Sequence, residues 1–377
     1  MRFPEFEDEW EAKKIEEIAT VSSGGTPSRT KPNYWNGNIP WITTSLIDFN
    51  RIKTAEEFIT EDGLSNSSAK LFPKSTILMA MYGQGKTRGK VGILDVEAST
   101  NQACAALKIK NKFHVDFVFN YLAKDYEKIR NLANDGGQQN LSAGLIKSLK
   151  IKTPSLSEQI KLANFLVVID KRIQTQNKII EHQESLMKGM MQQIFSQQLR
   201  LKNNSGENYP DWEDKKLKDL CEKGTSNISA NSLESNSGEY KIYGATGFLQ
   251  NVNFYQEEEA YISIVKDGAG AGRTLICEAK SSVLGTLDKI KPKNNNNMYF
   301  LYLLLKTISF EKYITGSTIP HIYFRDYGNE KIKQPCIEEQ TKIACFLSNL
   351  DEKLEKEKQI LAQYKQQKKH LLQNLFV

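Results

Sequence analysis

A glycine-rich basic loop in the first half of the chain resembles a phosphate-binding motif. Residues 80–87 read AMYGQGKT, which fits the loose pattern of a phosphate-binding P-loop and follows a strand-like run. In a true P-loop a helix starts at the Lys-Thr pair, so that its N-terminal amides can hold phosphate. Here residues 88–94 read RGKVGIL, which predicts another strand. We therefore predict a hairpin that presents Lys86, Arg88 and Lys90 to a polyanion.

A second glycine-rich loop occurs in the other half of the chain. Residues 266–274 read KDGAGAGRT and lack the Gly-Lys-Ser/Thr ending altogether. Arg273 is the cation of this loop that we expect to face a polyanion. This difference argues against nucleotide hydrolysis at either loop. A metal site is not indicated, because His114, His321 and the cysteines show no HxxxH or CxxC spacing. His182 lies inside a predicted helix and is expected to be solvated.

Polar and aromatic residues on predicted loops point to recognition rather than to catalysis. The chain lacks a Gly-x-Ser-x-Gly motif, a telling pair of carboxylates and an amino-methyltransferase motif of the Asn-Pro-Pro-Tyr type. Any single loop residue could be an ordinary solvated one, but Lys, Arg, Asn, Gln and Thr are the types that read base edges and hold phosphates. The predicted DNA contacts are Arg29, Lys31, Thr43, Ser45, Tyr82, Gln84, Lys86, Arg88, Lys90 and Gln138 in the first half, and Tyr243, Lys266, Arg273, His321, Tyr323 and Arg325 in the second.

The composition allows this interpretation without requiring it. The chain has 377 residues, too many for one ordinary core, and a net charge of +6. The charge is not gathered in a basic tail, so a polyanion site must be a local patch. Five cysteines without paired spacing fit reduced thiols, and neither a signal sequence nor a membrane-spanning run is indicated. We expect a soluble cytoplasmic protein.

The chain also contains a duplicated segment, which follows each set of loops. Residues 154–196 align without a gap with residues 335–377, 181 positions later. Such an internal repeat favours a protein that binds two of something. Identical pairs include Pro154/Pro335, Glu158/Glu339, Gln159/Gln340, Lys161/Lys342, Ala163/Ala344, Phe165/Phe346, Leu166/Leu347 and Asp170/Asp351.

Both repeated segments have the heptad pattern of long helices. Apolar residues recur at alternating spacings of four and three, which predicts an a/d seam and a rod of about 60 Å. A long globular unit joins the end of the first helix to the start of the second, so antiparallel packing into an intramolecular coiled coil is favoured. The alternative is that each helix packs only on its own globular unit. The predicted seam includes Leu166, Ile169, Ile173 and Ile180 in the first helix, and Leu347, Leu350, Leu354 and Leu361 in the second.

The globular units preceding the helices share a plan but little sequence. Residues 3–6 read FPEF and residues 209–212 read YPDW; both continue through Glu-Asp to Lys-Lys, with four extra residues in the first copy. Each unit then shows a strand-like run, a glycine-rich loop, more strands, a helix, a turn and a strand that ends at the proline of the long helix. We divide the chain into segments 1–153, 154–200, 201–334 and 335–377.

The whole chain resembles the specificity subunit of type I restriction–modification systems. The resemblance rests on the duplicated Pro-x-x-x-Glu-Gln-x-Lys-x-Ala-x-Phe-Leu motif, the two openings, and the pieces SGGTP (23–27), IPWI (39–42) and TNQ (100–102). It implies an α+β fold with two mixed α/β target recognition domains and a pseudo-twofold internal repeat. The second domain departs from the first, with Leu284-Gly285-Thr286 in place of Asn101-Gln102.

The resemblance also implies a function and its partners. Each recognition domain would read one half of an asymmetric double-stranded DNA site, and the helices would set the gap between the halves. Two methylation subunits would dock on the repeated helices, and restriction subunits would join the complex. S-adenosylmethionine, ATP and Mg²⁺ would belong to those partners, and this chain would be non-catalytic without a cofactor of its own. The alternative is a DNA-binding scaffold or structural protein unrelated to restriction.

Overall fold

The computed structural model describes residues 2–83, 86–132, 140–234 and 238–376. The chain forms two compact units. The first unit contains residues 1–176 and 360–377, and the second contains residues 177–359. None of the helices in the described part of the chain has an apolar stretch long enough to cross a membrane.

The first unit is built from short strands and one complete medium-length helix. Its strands are β1 Glu11–Lys14, β2 Ala19–Ser23, β3 Trp35–Ile42, β4 Arg51–Ile52, β5 Glu57–Ile59, β6 Leu71–Phe72, β7 Ile77–Ala80, β8 Val91–Leu94, β9 Ala98–Thr100, β10 Cys104–Ile109 and β11 Lys150–Thr153. Its helices are α1 Ile15–Ile18, α2 Glu61–Ser65, α3 Val115–Lys124, α4 Tyr126–Arg130, α5 Ala143–Ser148, the first part of α6 Leu156–Phe195 and the end of α10 Ile337–Leu375, with 3₁₀ turns at Pro32–Tyr34 and Thr44–Leu46.

The second unit has a similar series of elements. Its strands are β12 Glu213–Lys216, β13 Cys221–Thr225, β14 Tyr240–Gly244, β15 Gly247–Val252, β16 Tyr261–Val265, β17 Thr274–Cys277, β18 Ser281–Val283, β19 Leu287–Pro292 and β20 Lys331–Gln334. Its helices are the second part of α6, α7 Leu217–Leu220, α8 Met298–Thr307, α9 Phe324–Tyr327 and most of α10 Ile337–Leu375, with 3₁₀ turns at Ala230–Ser232 and Phe310–Tyr313.

The sheets of the two units follow one topological plan. The strand order β2-β10-β7-β8 of the first unit corresponds to β13-β19-β16-β17 of the second, and neighbouring strands are antiparallel in both. A second sheet contains the parallel pair β3/β9 or β14/β18. The central strands β7 and β16 are buried along their whole length, which explains why their sequences are apolar except for Ser263. The predicted kinship of the two units is thus visible in their strand pairing.

The strand register corrects the position of the four extra residues in the first copy. β1 pairs with β11 from Glu11, and β12 pairs with β20 from Glu213. Trp10, rather than Phe6, is therefore the counterpart of Trp212. The sequence comparison was wrong here because FPEF and YPDW look alike, whereas the pairing of distant strands fixes the register.

Each long helix ends against the core of a globular part. In the first unit the ring centroid of Phe376 lies 5.3 Å from that of Phe117, and Trp10 lies 5.8 Å from Phe117. Such aromatic groups bury a large apolar area in one place. The equivalent group in the second unit consists of Phe195, Phe300 and Trp212.

Within each unit the two long helices run antiparallel, as predicted. In the first unit, Leu166 near the start of α6 shares a core with Leu371 near the end of α10, and Lys368 forms an ion pair with Asp170 at 2.5 Å. In the second unit, Ile194 near the end of α6 shares a core with Leu347 near the start of α10. Every predicted seam residue is buried or half-buried, namely Leu166, Ile169, Ile173, Ile180, Leu347, Leu350, Leu354 and Leu361. His182 is exposed, as expected.

The glutamate of the duplicated motif fastens the start of each long helix to an arginine. Glu158 is buried and receives hydrogen bonds from Nε and Nη2 of Arg2, both at 2.8 Å. Glu339 is buried and receives them from Nε and Nη2 of Arg200 at 3.3 and 2.8 Å. A buried carboxylate needs such pairing because an isolated charge away from water is costly.

The glutamine of the same motif joins the helix to the globular part. The Gln159 side chain accepts a hydrogen bond from the backbone of His114, directly before α3, and donates one to Pro154. Gln340 accepts one from the backbone of Asn297, directly before α8, and donates one to Pro335. The Pro-Glu-Gln motif is therefore a structural joint that appears once in each unit.

Candidate nucleic-acid interface

The glycine-rich loop of the first unit is a β-hairpin, as predicted. It links β7 to β8 and closes through hydrogen bonds from Gly89 N to Ala80 O at 2.8 Å and from Ala80 N to Lys90 O at 3.0 Å. Gly89 has a φ of +84°, a conformation that side chains disfavour. The strand at β8, in place of a helix, removes the geometry that a P-loop requires.

The glycine-rich loop of the second unit closes in the same way. Gly272 N donates to Val265 O at 2.8 Å, and Val265 N donates to Arg273 O at 2.9 Å. Gly272 has a φ of +89°. These bonds make Gly272 the counterpart of Gly89, and Arg273 the counterpart of Lys90.

Hydrogen bonds bring two further segments against each hairpin. In the first unit, Met81 N donates to Ala103 O at 2.8 Å and Leu141 N donates to Met81 O at 3.0 Å. In the second unit, Lys266 N donates to Thr286 O at 3.0 Å, and the N–H of Ile322 donates to Lys266 O at 2.9 Å. Each hairpin is thus flanked by the turn that follows β9 or β18 and by the segment that precedes α5 or α9.

A fourth segment completes the same edge of each unit. Asn101 N donates to Ile42 O at 3.1 Å, and Leu284 N donates to Tyr243 O at 3.0 Å, so the chain leaving β3 or β14 lies beside the same turn. We call each set of four segments a recognition edge. The first recognition edge comprises residues 43–46, 81–83 with 86–90, 101–103 and 140–142; the second comprises residues 244–247, 266–273, 284–286 and 320–323.

Arg29 and Lys31 lie on aromatic residues of the first unit. The Arg29 guanidinium lies 3.7 Å from the Trp35 ring centroid and pairs with Glu57 at 2.5 Å, which lowers the pKa of that carboxyl. Lys31 Nζ donates to the Tyr34 hydroxyl at 3.0 Å. Both cations are thus held by local partners.

The residues predicted to contact DNA on the first recognition edge differ in their exposure and in whether their side chains already bind a partner within the protein. Thr43 and Ser45 share a hydroxyl hydrogen bond of 2.6 Å. The Arg88 guanidinium donates from Nη2 to the backbone oxygen of Arg130 at 2.6 Å, and Lys90 pairs with Asp48 at 2.6 Å. Tyr82 and Lys86 are exposed, whereas Gln84 and Gln138 lie outside the described residues.

On the second recognition edge Arg273 is the exposed cation. Its Nη1 donates to the backbone oxygen of Ala245 at 3.0 Å, and no carboxylate in the described part of the chain forms an ion pair with it. Lys266 lies 3.5 Å from the buried Asp288, whose pKa is raised by burial although Lys223 and Lys266 oppose the shift. Tyr243 is buried in the core, and burial raises the pKa of its hydroxyl.

Polar and aromatic side chains contact one another around the start of α9. His321 Nδ1 lies 2.7 Å from an Asp267 carboxylate oxygen, and its ring stacks on Tyr323 with centroids 6.4 Å apart and an angle of 19°. The Arg325 guanidinium lies 4.8 Å from the Tyr323 ring centroid. The sequence-based prediction included these three side chains but missed Asp267, although its place beside Lys266 in a glycine-rich loop was a usable signal.

The recognition edges offer hydrogen bonds and charge. The described residues contain no group of three His, Cys, Asp or Glu placed to bind a metal. Cys104 and Cys221 are buried free thiols, and burial raises the pKa of each to about 12. Their neutral thiols are core groups rather than nucleophiles.

Comparison with known families settles the relationship of the chain. The model of the type I restriction modification DNA specificity domain matches residues 7–184 and again residues 209–366. The chain belongs to this family. Its repeated specificity domain is a DNA-recognition module, and the family's specificity subunits are non-catalytic.

Individual family members resemble most of the chain. The type I restriction enzyme MjaIX specificity subunit of Methanocaldococcus jannaschii is 25% identical over 363 residues, covering 87% of this chain and 83% of the relative. The fold is similar to the crystal structure of a type I restriction–modification S subunit from M. genitalium, with a TM-score of 0.62, 19% identity and coverage of 100% and 97% of the two chains. A structure described as showing complex assembly and conformational transition of the type I system gives a TM-score of 0.57 at 14% identity, with coverage of 99% and 98%.

Proposed function

We propose that this DNA-specificity chain reads an asymmetric bipartite site, one half with each recognition edge. The proposal rests on one observation: the two recognition edges share their backbone hydrogen bonds but differ in their side chains. The same backbone hydrogen bonds place four segments together in both units, but the side chains differ, with Lys90 replaced by Arg273 and Asn101 by Leu284. Two recognition edges with the same backbone arrangement and different side chains could each contact DNA in the same way and recognise a different base sequence.

The exposed cations and the polar side chains of the recognition edges would contact different parts of the DNA. Lys86, Arg273 and Arg325 would contact phosphates, which gives salt-dependent affinity without sequence preference. Thr43, Ser45 and His321 would read base edges, where a good bidentate pair discriminates by about 1–3 kcal/mol. Arg29, Lys31, Tyr82, Lys90, Lys266 and Tyr323 remain proposed contacts, as do Gln84 and Gln138, while Arg88 and Tyr243 would act by supporting the edge.

The repeated helices would set the gap between half-sites and dock the partners. Exposed apolar residues recur at equivalent positions of the two copies, Leu156 with Ile337 and Phe165 with Phe346. Pairs of this kind suit one partner bound twice, as expected for two methylation subunits. Restriction subunits would join that complex, and S-adenosylmethionine, ATP and Mg²⁺ would be used by the partners. The segments 1–153, 154–200, 201–334 and 335–377 are the proposed functional divisions.

Co-expression of this chain with a type I methylation subunit tests the proposal. Sequencing of modified adenines should give one asymmetric bipartite motif with a fixed unspecified gap, and mass measurement should give two methylation subunits per chain. A continuous or palindromic motif would contradict reading by two unequal edges. A 1:1 complex would contradict docking on both helices.

A further inference from the structure

The second unit has a hairpin with exposed apolar side chains at its recognition edge. β14 and β15 are joined at Ala245 and Thr246, and β15 carries Phe248 and Leu249, which are 53% and 46% exposed. The corresponding chain of the first unit leaves Ile42 into the 3₁₀ turn Thr44–Leu46. The hairpin therefore accounts for one clear difference between the two edges.

A β-bulge places both of these residues together at the hairpin tip. Tyr243 pairs with Phe248 and Ile242 pairs with Gln250, so Leu249 is the extra, unpaired residue. Bulges bend a strand and change the direction of the side chains around them. In a regular antiparallel ladder, adjacent residues would lie on opposite faces, with one of them available for burial. Here both Phe248 and Leu249 are open to solvent.

The hairpin that carries the exposed pair also binds the exposed cation of the second recognition edge. The Arg273 guanidinium binds the turn at Ala245 O at 3.0 Å and is itself exposed. The turn is three residues before Phe248, and Gly247 has a φ of +112°, which keeps it tight. One hydrogen bond thus joins the Arg273 guanidinium to the turn of the hairpin that carries the apolar pair.

We propose that Phe248 and Leu249 form an apolar wedge that enters duplex DNA at a base step of the second half-site. Proteins that deform DNA insert Phe or Leu between stacked bases in this way and hold the flanking phosphates with cations. Arg273 supplies the adjacent positive charge, which favours DNA over an apolar protein partner as the occupant. The inference rests on the proposed function, because it assigns a contact to an edge proposed to bind DNA.

The wedge has a distinctive salt dependence. An apolar insertion releases no counterions, so its loss weakens binding by the same factor at every salt concentration. The double variant Phe248→Ser with Leu249→Ser should weaken binding to the mapped site about tenfold at both low and high salt, since loss of stacking on one base weakens binding by a factor of this order. Arg273→Ala should instead reduce the slope of log affinity against log salt by about one.

A matched control separates the tip of the hairpin from its base. Phe254 is 40% exposed and follows the other end of β15. It lies eight residues from the turn at Thr246, about 20 Å or more along an extended chain. Phe254→Ser should leave binding within twofold of the parent chain. Equal losses in Phe254→Ser and in the tip variant would overturn the wedge.

Photo-crosslinking tests the contact itself without removing the side chain's bulk. Phe248→p-benzoylphenylalanine, in the complex with the methylation subunit, should crosslink to DNA at the second half-site of the mapped motif. Lys86→p-benzoylphenylalanine is the companion probe on the first recognition edge. DNA crosslinks from position 86 alone, or crosslinks from position 248 to a protein subunit, would overturn the wedge and leave the proposed function standing. Absence of DNA crosslinks from both positions would overturn both.

Discussion

Trp212 donates its indole N–H to the buried carboxylate of Glu339 at 3.0 Å, whereas Trp10, its counterpart, has a buried indole N–H without an acceptor among the described residues. In the first unit the oxygens of Glu158 are both taken by Arg2. The duplicated glutamate thus has one partner residue in the first joint and two in the second. The copies have the same fold but distribute their polar contacts differently.

Loss of the glutamate should therefore destabilise the second joint more than the first. Glu339→Ala would leave Arg200 and Trp212 without their shared acceptor, and we expect a cost of about 3–4 kcal/mol. Glu158→Ala would release only the partly exposed Arg2, and we expect a smaller cost. Thermal unfolding of the two variants measures the difference. Equal shifts in Tm would contradict a separate contribution from Trp212.

Arg88→Ala should impair recognition of one half-site only. Its guanidinium ties the first hairpin to the backbone oxygen of Arg130, so its loss loosens the loop that presents Lys86. We expect methylation at the motif to fall about tenfold, with relaxed preference in the first half-site. Genome-wide mapping of modified adenines measures this, and relaxed preference in the other half-site would refute it. Lys128→Ala, an exposed lysine on α4, is the control.

The long helices and the glycine-rich hairpin could be predicted from the sequence because their patterns are local. The heptad seam is a local pattern, and residues such as Leu166 and Leu347 are buried where it predicts. The hairpin at Gly89 was also predictable, because an apolar run before and after a glycine-rich turn is local information. The antiparallel direction followed from the length of chain between the two helices.

The contacts that determine which side chains of the recognition edges are exposed and unbound could not be predicted from local sequence patterns. Tyr243 looked like a loop residue but is buried, because β14 pairs in parallel with β18, about forty residues later in the chain. Arg88 and Lys90 looked alike, yet one binds a backbone oxygen and the other binds Asp48. Such pairings join residues far apart in sequence, and residue type alone does not specify them.

A charge in the seam should break the helical pair. Ile169→Asp places a carboxylate in the buried core shared by α6 and the end of α10, and an unpaired buried charge costs several kcal/mol. Leu350→Asp should act less strongly because Leu350 is only partly buried. Co-purification with the methylation subunit should fall in both variants. His182→Asp, at an exposed position of the same helix, should assemble normally; a complete 2:1 complex with Ile169→Asp would reject the argument.

The repeated exposed phenylalanines allow the two proposed docking sites to be removed one at a time. Phe165→Ser or Phe346→Ser alone should release one methylation subunit and leave a 1:1 complex, and the double variant should release both. Phe165 also contacts Phe3 at 6.0 Å, so its Tm must be measured in parallel. Leu71→Ser, at an exposed position of β6, is the control. A 2:1 mass for the double variant would exclude these residues from docking.

Glu257 forms ion pairs with two lysines of β19, and it should make the stability of the second unit depend on pH. Burial alone would raise the pKa of Glu257, but hydrogen-bonded ion pairs with Lys289, at 2.6 Å, and Lys291 outweigh it and lower the pKa from 4.5. A carboxyl with a lowered folded-state pKa stabilises the fold above its unfolded pKa, and this contribution is lost as the pH falls through the folded value. Glu257→Gln should therefore lower Tm at pH 7, and the difference from the parent chain should shrink below pH 4.5. Thermal unfolding at pH 7, 5 and about 3.5 measures this. A difference that stays constant or grows towards acid would show that the ion pairs do not hold the carboxylate in its charged form.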